Sequence, residues 1–158
     1  MEFRRGAVCL VVLVLVSAHA ASALDGKKAM YVGGTITAKI PEKTEGRLNT
    51  TDETNLTFTA DKTGIVGEMP YSKISSFEYG QKASHRIKTA VLLTPWSLFS
   101  KKRRHYVSIF FQDEDGKEQG IVLELGKDLI RPTITIVEAR TGQKVVFQDE
   151  EAKKHFAK

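Results

Sequence analysis

The sequence predicts a mainly β domain, an antiparallel sandwich or partly open barrel that is capped by one C-terminal helix. From Met30 to Phe111, short runs rich in Thr, Val, Ile, Tyr and Phe are separated by Gly, Pro, Asn and Asp, which is the composition of strands and turns. Helical periodicity is scarce over that span, and apolar residues at helical spacing occur in the segment Lys127–Gly142. These observations together predict a series of short strands followed by one helix.

Strands are expected along most of the chain before that helix, and alternation gives most of them one buried face. In one of them, Leu56, Phe58 and Ala60 alternate with Thr57 and Thr59, so that the larger apolar side chains share a face. The expected strands are Ala29–Lys39, Gly46–Thr50, Leu56–Ala60, Gly64–Pro70, Ile74–Gly80, Arg86–Leu92, His105–Gln112 and Gln119–Leu125. An antiparallel sheet with one face on the core has this pattern.

Two clusters of turn residues connect neighbouring strands. Asp61–Gly64 and Asp113–Gly116 combine Asp with Gly, which adopt the backbone conformations of tight turns, so each cluster predicts a β-hairpin. The carboxylates of Asp113–Glu118 also resemble a fragment of a calcium loop. They lack the remaining ligands and the 12-residue frame of such a loop, and a hairpin turn is therefore the better interpretation.

The segment Lys127–Gly142 carries two competing patterns. Residues Thr133–Val137 alternate as a strand would, whereas Ile130, Ile134 and Val137 fall at helical spacing. The β-branched side chains lower the helix propensity. We nevertheless favour the helix, because the residues at its two ends suit helix termini.

Three residues mark these termini. Asp128 is a suitable N-cap, and Pro132 would then lie in the first turn, where its missing N–H costs little. Gly142 fits the position just beyond a helix end. Residues Lys144–Gln148 follow as a last short strand, and residues 149–158 are expected to form a charged C-terminal tail that is frayed or weakly helical.

The N-terminal segment, residues 1–23, has the features of a cleavable secretory signal peptide. Arg4 and Arg5 precede an uninterrupted apolar run, Ala7–Val16, and small residues follow up to Ala23. We expect cleavage after Ala23, with Ala20 as the second choice. The alternative is an uncleaved anchor helix, but ten strongly apolar residues span only about half of the roughly 20 that a bilayer core needs. The chain is thus expected to be exported to the periplasm or the extracellular space.

Removal of the signal peptide leaves residues 24–148 as a single domain, together with the tail. Cys9 is the only cysteine and leaves with the signal peptide, so neither a disulfide nor a thiolate site is expected. The chain has 24 Lys and Arg against 19 Asp and Glu, and the loss of Glu2, Arg4 and Arg5 leaves 22 against 18. This mild positive charge does not by itself indicate nucleic acid as a partner.

The segment LTFTADKTGIVGEMPYSKISSFEYG, Leu56–Gly80, resembles the strand, turn and strand that recur in pleckstrin-homology-like domains, including GRAM-type and bacterial members. In that resemblance Tyr71, Ile74, Phe77 and Tyr79 would hold a corner and the next strand together. The later hairpin HYVSIFFQDEDGKEQGIVLEL and the helix after it are similar to small exported bacterial proteins of unknown function. The resemblance implies a fold and does not imply an activity.

The basic run of phosphoinositide-binding members is not matched in this chain. Lys39, Lys43 and Arg47 are spread out and are interrupted by Glu42 and Glu45. Most such domains are also cytoplasmic, whereas this chain carries an export signal. The partners to expect are consequently those of the cell envelope.

The least ordinary feature is an apolar segment with one tryptophan, followed directly by a basic cluster. Aromatic insertion combined with attraction to anionic head groups is what a monotopic membrane contact needs, at about 1 kcal/mol for each basic residue. The candidate contact residues are Trp96, Phe99, Lys101, Lys102, Arg103, Arg104 and His105. The alternative is a core strand followed by a solvated charged loop.

No catalytic or metal motif is evident. His85, His105 and His155 are widely separated and have no metal-ligand spacing, so surface or half-buried histidines are expected. Ser84 beside His85 lacks both the G-x-S-x-G pattern and an identifiable acidic partner. We therefore expect neither catalytic residues nor a cofactor.

The sequence thus favours an exported, non-enzymatic binding or structural module of the cell envelope. An anionic lipid or an envelope protein is the expected partner, whereas nucleic acid and a small-molecule cofactor are not expected. The alternative is a hydrolase or metal-dependent enzyme whose site is assembled from residues far apart in the sequence.

Overall fold

The computed structural model describes residues 27–35, 40–81 and 104–157. The predicted signal peptide, the predicted strand Arg86–Leu92 and His85 lie outside the described residues. So do five of the seven candidate contact residues, Trp96, Phe99, Lys101, Lys102 and Arg103.

The described strands are β1 (Lys27–Gly34), β2 (Thr44–Asn49), β3 (Asn55–Ala60), β4 (Val66–Pro70), β5 (Ile74–Gly80), β6 (His105–Gln112), β7 (Glu118–Leu125) and β8 (Val146–Phe147). The helices are α1 (Lys127–Thr141) and α2 (Glu150–Ala157), and a 3-10 turn covers Tyr71–Lys73.

The strands form one open sheet in the order β4-β3-β2-β1-β7-β6-β5-β8. Every neighbouring pair is antiparallel except β5 and β8, which are parallel. The prediction of a mainly β domain capped by a helix is confirmed. Two details of it were wrong, because the sheet is mixed and the described part of the chain has two C-terminal helices.

Both predicted hairpins are present, between β3 and β4 and between β6 and β7. Gly64 and Gly116 have φ values of 67° and 76°, which glycine adopts without the steric cost that other residues meet. In the second turn the Asp113 carboxylate accepts hydrogen bonds from the backbone N–H groups of Asp115 and Lys117, at 3.1 and 2.8 Å. Those contacts make the acidic run part of a turn, as the sequence predicted.

Helix α1 has the predicted C-terminal end but begins earlier than predicted. Gly142 has a φ of 70° and donates its N–H to the carbonyl of Glu138, which closes the helix. The N-cap is Gly126 and not Asp128, which lies in the first turn. Pro132 consequently lies in the second turn. The earlier start lets Lys127 and Asp128 contribute to the first turn.

One main core lies between the sheet and α1. Its strand residues include Leu56, Phe58 and Phe77, and α1 contributes Ile134 and Val137. In β3 the alternation predicted from the sequence holds, since every second residue is buried. Other members of this core are Tyr31, Ile40, Leu48, Met69, Tyr71, Ile74, Tyr79, Val107, Ile109, Ile121, Leu123, Leu125, Leu129 and Ile130. These contacts hold the helix across one face of the sheet.

Strand β6 departs from the one-face rule that was expected of most strands. Residues Tyr106 to Phe111 are all buried, so both faces of this strand are covered. Val107 and Ile109 belong to the main core, whereas Tyr106 and Phe110 are buried outside it. A strand that is buried on both faces has a nearly continuous apolar sequence, which alternation alone does not explain.

The C-terminal tail is an ordered part of the domain. Strand β8 adds to the edge of β5, where Glu78 pairs with Val146 and Tyr79 with Phe147. In α2, Ala152 is fully buried and Phe156 packs against the main core. The segment predicted to be frayed or weakly helical therefore forms one wall of a cleft.

Candidate functional site

A cleft of about 450 Å³ lies where three parts of the fold meet. These parts are the ends of β5 and β6, the first turns of α1, and the C-terminal half of α2. The lining residues are Tyr79, His105, Lys127, Asp128, Ile130, Arg131, His155 and Phe156. Its polar lining combines two histidines and two permanently cationic side chains with one carboxylate.

His105 is the first residue of β6. Strand alternation places it on the face of Val107 and Ile109, which belong to the core, and the Tyr79 hydroxyl lies 2.7 Å from its Nδ1 atom. The two rings are stacked, with centroids 6.0 Å apart and planes at 11°. The phenol thus fixes the orientation of the imidazole.

The electrostatic surroundings of His105 disfavour its charged form. Burial lowers the pKa of the imidazole, and the positive charges of His155 and Lys127 lower it further. Burial raises the pKa of the Tyr79 phenol, so this partner stays neutral. The side chains of His155 in α2 and Lys127 in α1 thus both act on the small volume around His105.

The first turns of α1 supply the permanent charges. Lys127 and Arg131 are four residues apart and therefore lie on one side of the helix. Neither has a carboxylate partner in the part of the chain that the structure describes. Lys127 is the first helical residue, where the helix dipole makes a cation unfavourable by about 0.3–1 kcal/mol. Asp128 beside it offsets part of this cost.

Helix α2 is held at the cleft by aromatic contacts and by one arginine. Arg131 donates from Nε to the carbonyl oxygen of Phe156 at 2.8 Å, and its guanidinium lies 5.7 Å from the centre of that ring. The Phe156 ring lies 5.4 Å from that of Phe147 and 6.2 Å from that of Tyr79. The backbone N–H of Gln148 donates to the carbonyl of Tyr79 at 3.0 Å. The tail is thus attached to both β5 and α1.

His155 reaches the cleft from α2. Its Nε2 atom lies 3.8 Å from a carboxylate oxygen of Glu151, one turn earlier in the helix, and its side chain is 27% exposed. The Asp149 carboxylate caps the helix by accepting the N–H of Ala152 at 2.7 Å. His155 is therefore positioned by a short helix that depends on its packing.

The chemistry that this arrangement supports is the binding of an anion. Lys, Arg and His offer several N–H donors, and the cleft has a net positive lining at neutral pH. No Ser, Thr or Cys nucleophile is among the residues that line it. Within the described residues, no group of three or more His, Cys, Asp or Glu could hold a metal ion.

The structure separates the two candidate contact residues that it describes. His105 lines the cleft, whereas Arg104 donates from Nη1 to Glu124 at 2.6 Å on the other face of the sheet. That contact raises the pKa of the Arg104 guanidinium. Arg104 and His105, the last two residues of the basic cluster, thus lie on opposite faces of the sheet.

Several cleft residues were not found by sequence reasoning. His105 and His155 are fifty positions apart, and no spacing rule relates them. Lys127 does carry a signal, since a cation at the first position of a helix is unfavourable in the field of the helix dipole. That signal becomes visible only when the helix start is known.

A second depression, of about 280 Å³, has the opposite charge. Glu45, Asp61 and Glu124 line it, but two of these carboxylates already have partners. Arg47 lies 3.4 Å from Asp61, and Arg104 binds Glu124. Because its charges are largely neutralised within the protein, we do not regard this depression as the functional site.

No protein-family model matches the chain, and a search of curated proteins finds no match. Among the described helices, none is both long enough and apolar enough to cross a membrane. The cleft is accordingly the feature of the molecule that indicates a function.

Proposed function

We propose that this chain is an exported, non-enzymatic binding module of the cell envelope with a pleckstrin-homology-like fold, and that its cleft binds anionic groups of a membrane surface. The observation that carries the proposal is the unneutralised cationic lining formed by Lys127 and Arg131 beside two histidines. Arg47 and Arg104, by contrast, each lie against a carboxylate, of Asp61 and Glu124 respectively.

The order of the elements supports the fold in this proposal. Among the described residues, seven strands precede the capping helix α1. Strands β1–β4 pair in chain order, and so do strands β5–β7. Tyr71, Ile74, Phe77 and Tyr79, the residues that carried the resemblance, are all buried in the main core. A shared packing pattern supports a shared fold and leaves the function to be argued from the site.

The placement of the charges supports the binding role. Lys127 occupies a helix position where it costs stability, and a fold tolerates such residues most readily where they serve a function. An anionic head group in the cleft would gain from both Lys127 and Arg131, and this gain would weaken at high ionic strength. His105 also connects the cleft to the predicted contact segment that precedes it in the chain.

Vesicle co-sedimentation of residues 24–158 tests the proposal. We expect salt-sensitive binding to vesicles that contain phosphatidylglycerol and no binding to vesicles of phosphatidylcholine. The double variant Lys127→Gln/Arg131→Gln should lose most of this binding. The control is Lys62→Gln/Lys117→Gln, which removes the same charge from two exposed turn residues and should bind like the parent.

A third variant assesses the contribution of the contact segment. Neutralising Lys101, Lys102, Arg103 and Arg104 together should weaken vesicle binding if this segment lies against the membrane beside the cleft. The membrane proposal is wrong if the parent protein does not sediment with anionic vesicles at low salt. It is also wrong if both double variants lose binding equally, because a general charge effect would then explain the result.

A further inference from the structure

The cleft brings basic side chains from three elements together. Lys127 and Arg131 belong to α1, His105 to β6, and His155 to α2. The pKa of His105 is lowered by His155 and Lys127 as well as by burial, so these groups repel one another across the cleft. An anion placed among them would reduce this repulsion and would attract the basic groups of all three elements.

Helix α2 is the element most able to respond. It has eight residues, and a helix of that length is marginal in water without tertiary contacts. Its attachment includes the buried Ala152, the half-buried Phe156 and the hydrogen bond from Arg131 to the Phe156 carbonyl. Strand β8, which joins it to the sheet, has only two residues. A ligand that bridges α1 and α2 would therefore change how firmly the tail is docked.

We propose that the cleft is the site of a small tetrahedral oxyanion of the phosphate or sulfate class, which clamps helix α2 onto the domain by bridging it to Lys127 and Arg131. The inference deepens the proposed function, since it names the chemical class that the same cleft binds. A tetrahedral oxyanion presents more acceptor oxygens than a carboxylate, which suits donors that converge from three elements. The volume of about 450 Å³ accommodates such an ion together with water.

The remaining ionisable groups around the histidines set the pH response. Tyr79 contacts His105, Asp128 lines the cleft, and Glu151 lies beside His155. Asp128 and Glu151 oppose an anion, and protonation of His105 favours it. Because the pKa of His105 is lowered, binding of a dianion that does not itself titrate should strengthen as the pH falls below about 6.5.

Hydrogen exchange with sulfate as the probe tests the clamp. If sulfate binds only the docked tail, sulfate at about ten times its Kd should slow exchange of the α2 amides about 10-fold, with little change at the edge strand β4. Lys127→Gln/Arg131→Gln should remove this protection, whereas Lys62→Gln/Lys117→Gln should retain it. Sulfate affinity in His105→Gln should no longer rise on acidification.

The outcomes separate the clamp from the membrane proposal. Absence of sulfate binding, or binding without slower exchange in α2, overturns the clamp even if anionic vesicles bind. Protection by sulfate without vesicle binding supports the clamp and removes the membrane proposal. Vesicles of phosphatidic acid distinguish the source of the anion, since protection by both probes indicates a head group and protection by sulfate alone indicates a free ion. Either pattern of protection supports an oxyanion site in the cleft.

Discussion

The two ends of helix α1 each carry an arginine beside an aromatic ring, but the two arginines have different surroundings. At the C-terminal end, Nη1 of Arg140 lies 2.6 Å from the carbonyl oxygens of Thr50 and Asp52 and 2.9 Å from the Tyr71 hydroxyl. At the N-terminal end, Arg131 donates from Nε to one carbonyl and otherwise faces the cleft.

The helix dipole acts on positive charges in opposite directions at the two ends of α1. A cation near the C-terminus of a helix is favourable, so Arg140 stabilises both the helix and the loop that follows β2. Lys127 at the N-terminus is unfavourable for the helix and has no carboxylate partner in the described part of the chain. The same type of charge thus stabilises the fold at one end and remains available for a ligand at the other.

The largest expected effect is on stability, and it comes from the C-terminal end. Arg140→Met should lower the free energy of unfolding by about 3 kcal/mol, because it leaves two carbonyls and a buried tyrosine hydroxyl without their charged donor. Arg131→Met, the matched change at the other end, should cost less than about 1 kcal/mol. Urea denaturation measures both. Equal losses would contradict the division between a structural and a functional arginine.

A smaller effect is expected from the aromatic partners of these arginines. Phe156→Ala should cost about 2 kcal/mol, since it removes contacts with Phe147 and Tyr79 as well as the ring beneath Arg131. Tyr71→Phe keeps the ring at the other end and loses one hydrogen bond, so it should cost about 1 kcal/mol. Thermal unfolding of the two variants checks the order. A larger loss for Tyr71→Phe would show that the tail contributes little to the domain.

The smallest effect is the pH dependence of stability. The folded-state pKa of His105 is lowered, so the unfolded chain binds more protons and stability falls as the pH drops below about 6.5. Lowered pKa values of Asp52 and Asp113 act in the same direction, but only below about pH 4, which leaves the histidine window clear. Denaturation midpoints recorded between about pH 7 and 5 measure this loss of stability on acidification.

His105→Gln is the control for this pH effect, and it should flatten the profile in that window. Sulfate should also reduce the acid loss of stability in the parent, because the bound anion favours protonated histidine. A profile that stays unchanged in His105→Gln would assign the acid sensitivity to other groups.

Much of the fold was predictable because local patterns specify it. Strands β5 and β6 have the predicted bounds, and the hairpins at Gly64 and Gly116 follow from turn chemistry that acts within a few residues. The start of α1 was missed because Gly126 and Asp128 are both acceptable N-caps, and the local sequence does not choose between them. The burial of both faces of β6 was missed for a related reason, since alternation reports one face only.

The candidate site was predicted only in part. His105 was among the predicted contact residues, and Arg104 beside it proved to face the opposite side of the sheet. His155 belonged to a tail that was expected to be frayed or weakly helical. Its role depends on the docking of α2, and no local pattern reports whether a charged segment docks.

The sequence by itself determined the mainly β architecture, the capping helix with its end at Gly142, and the turns that connect neighbouring strands. Each of these depends on backbone preferences and apolar spacing over a few residues. Only the tertiary structure decided that β8 adds to β5 and that α2 returns to the core. It also decided that His105, Lys127, Arg131 and His155 share one cleft. Such contacts depend on the packing of surfaces that are distant in the chain, and charge and burial within the cleft arise only once those surfaces have met.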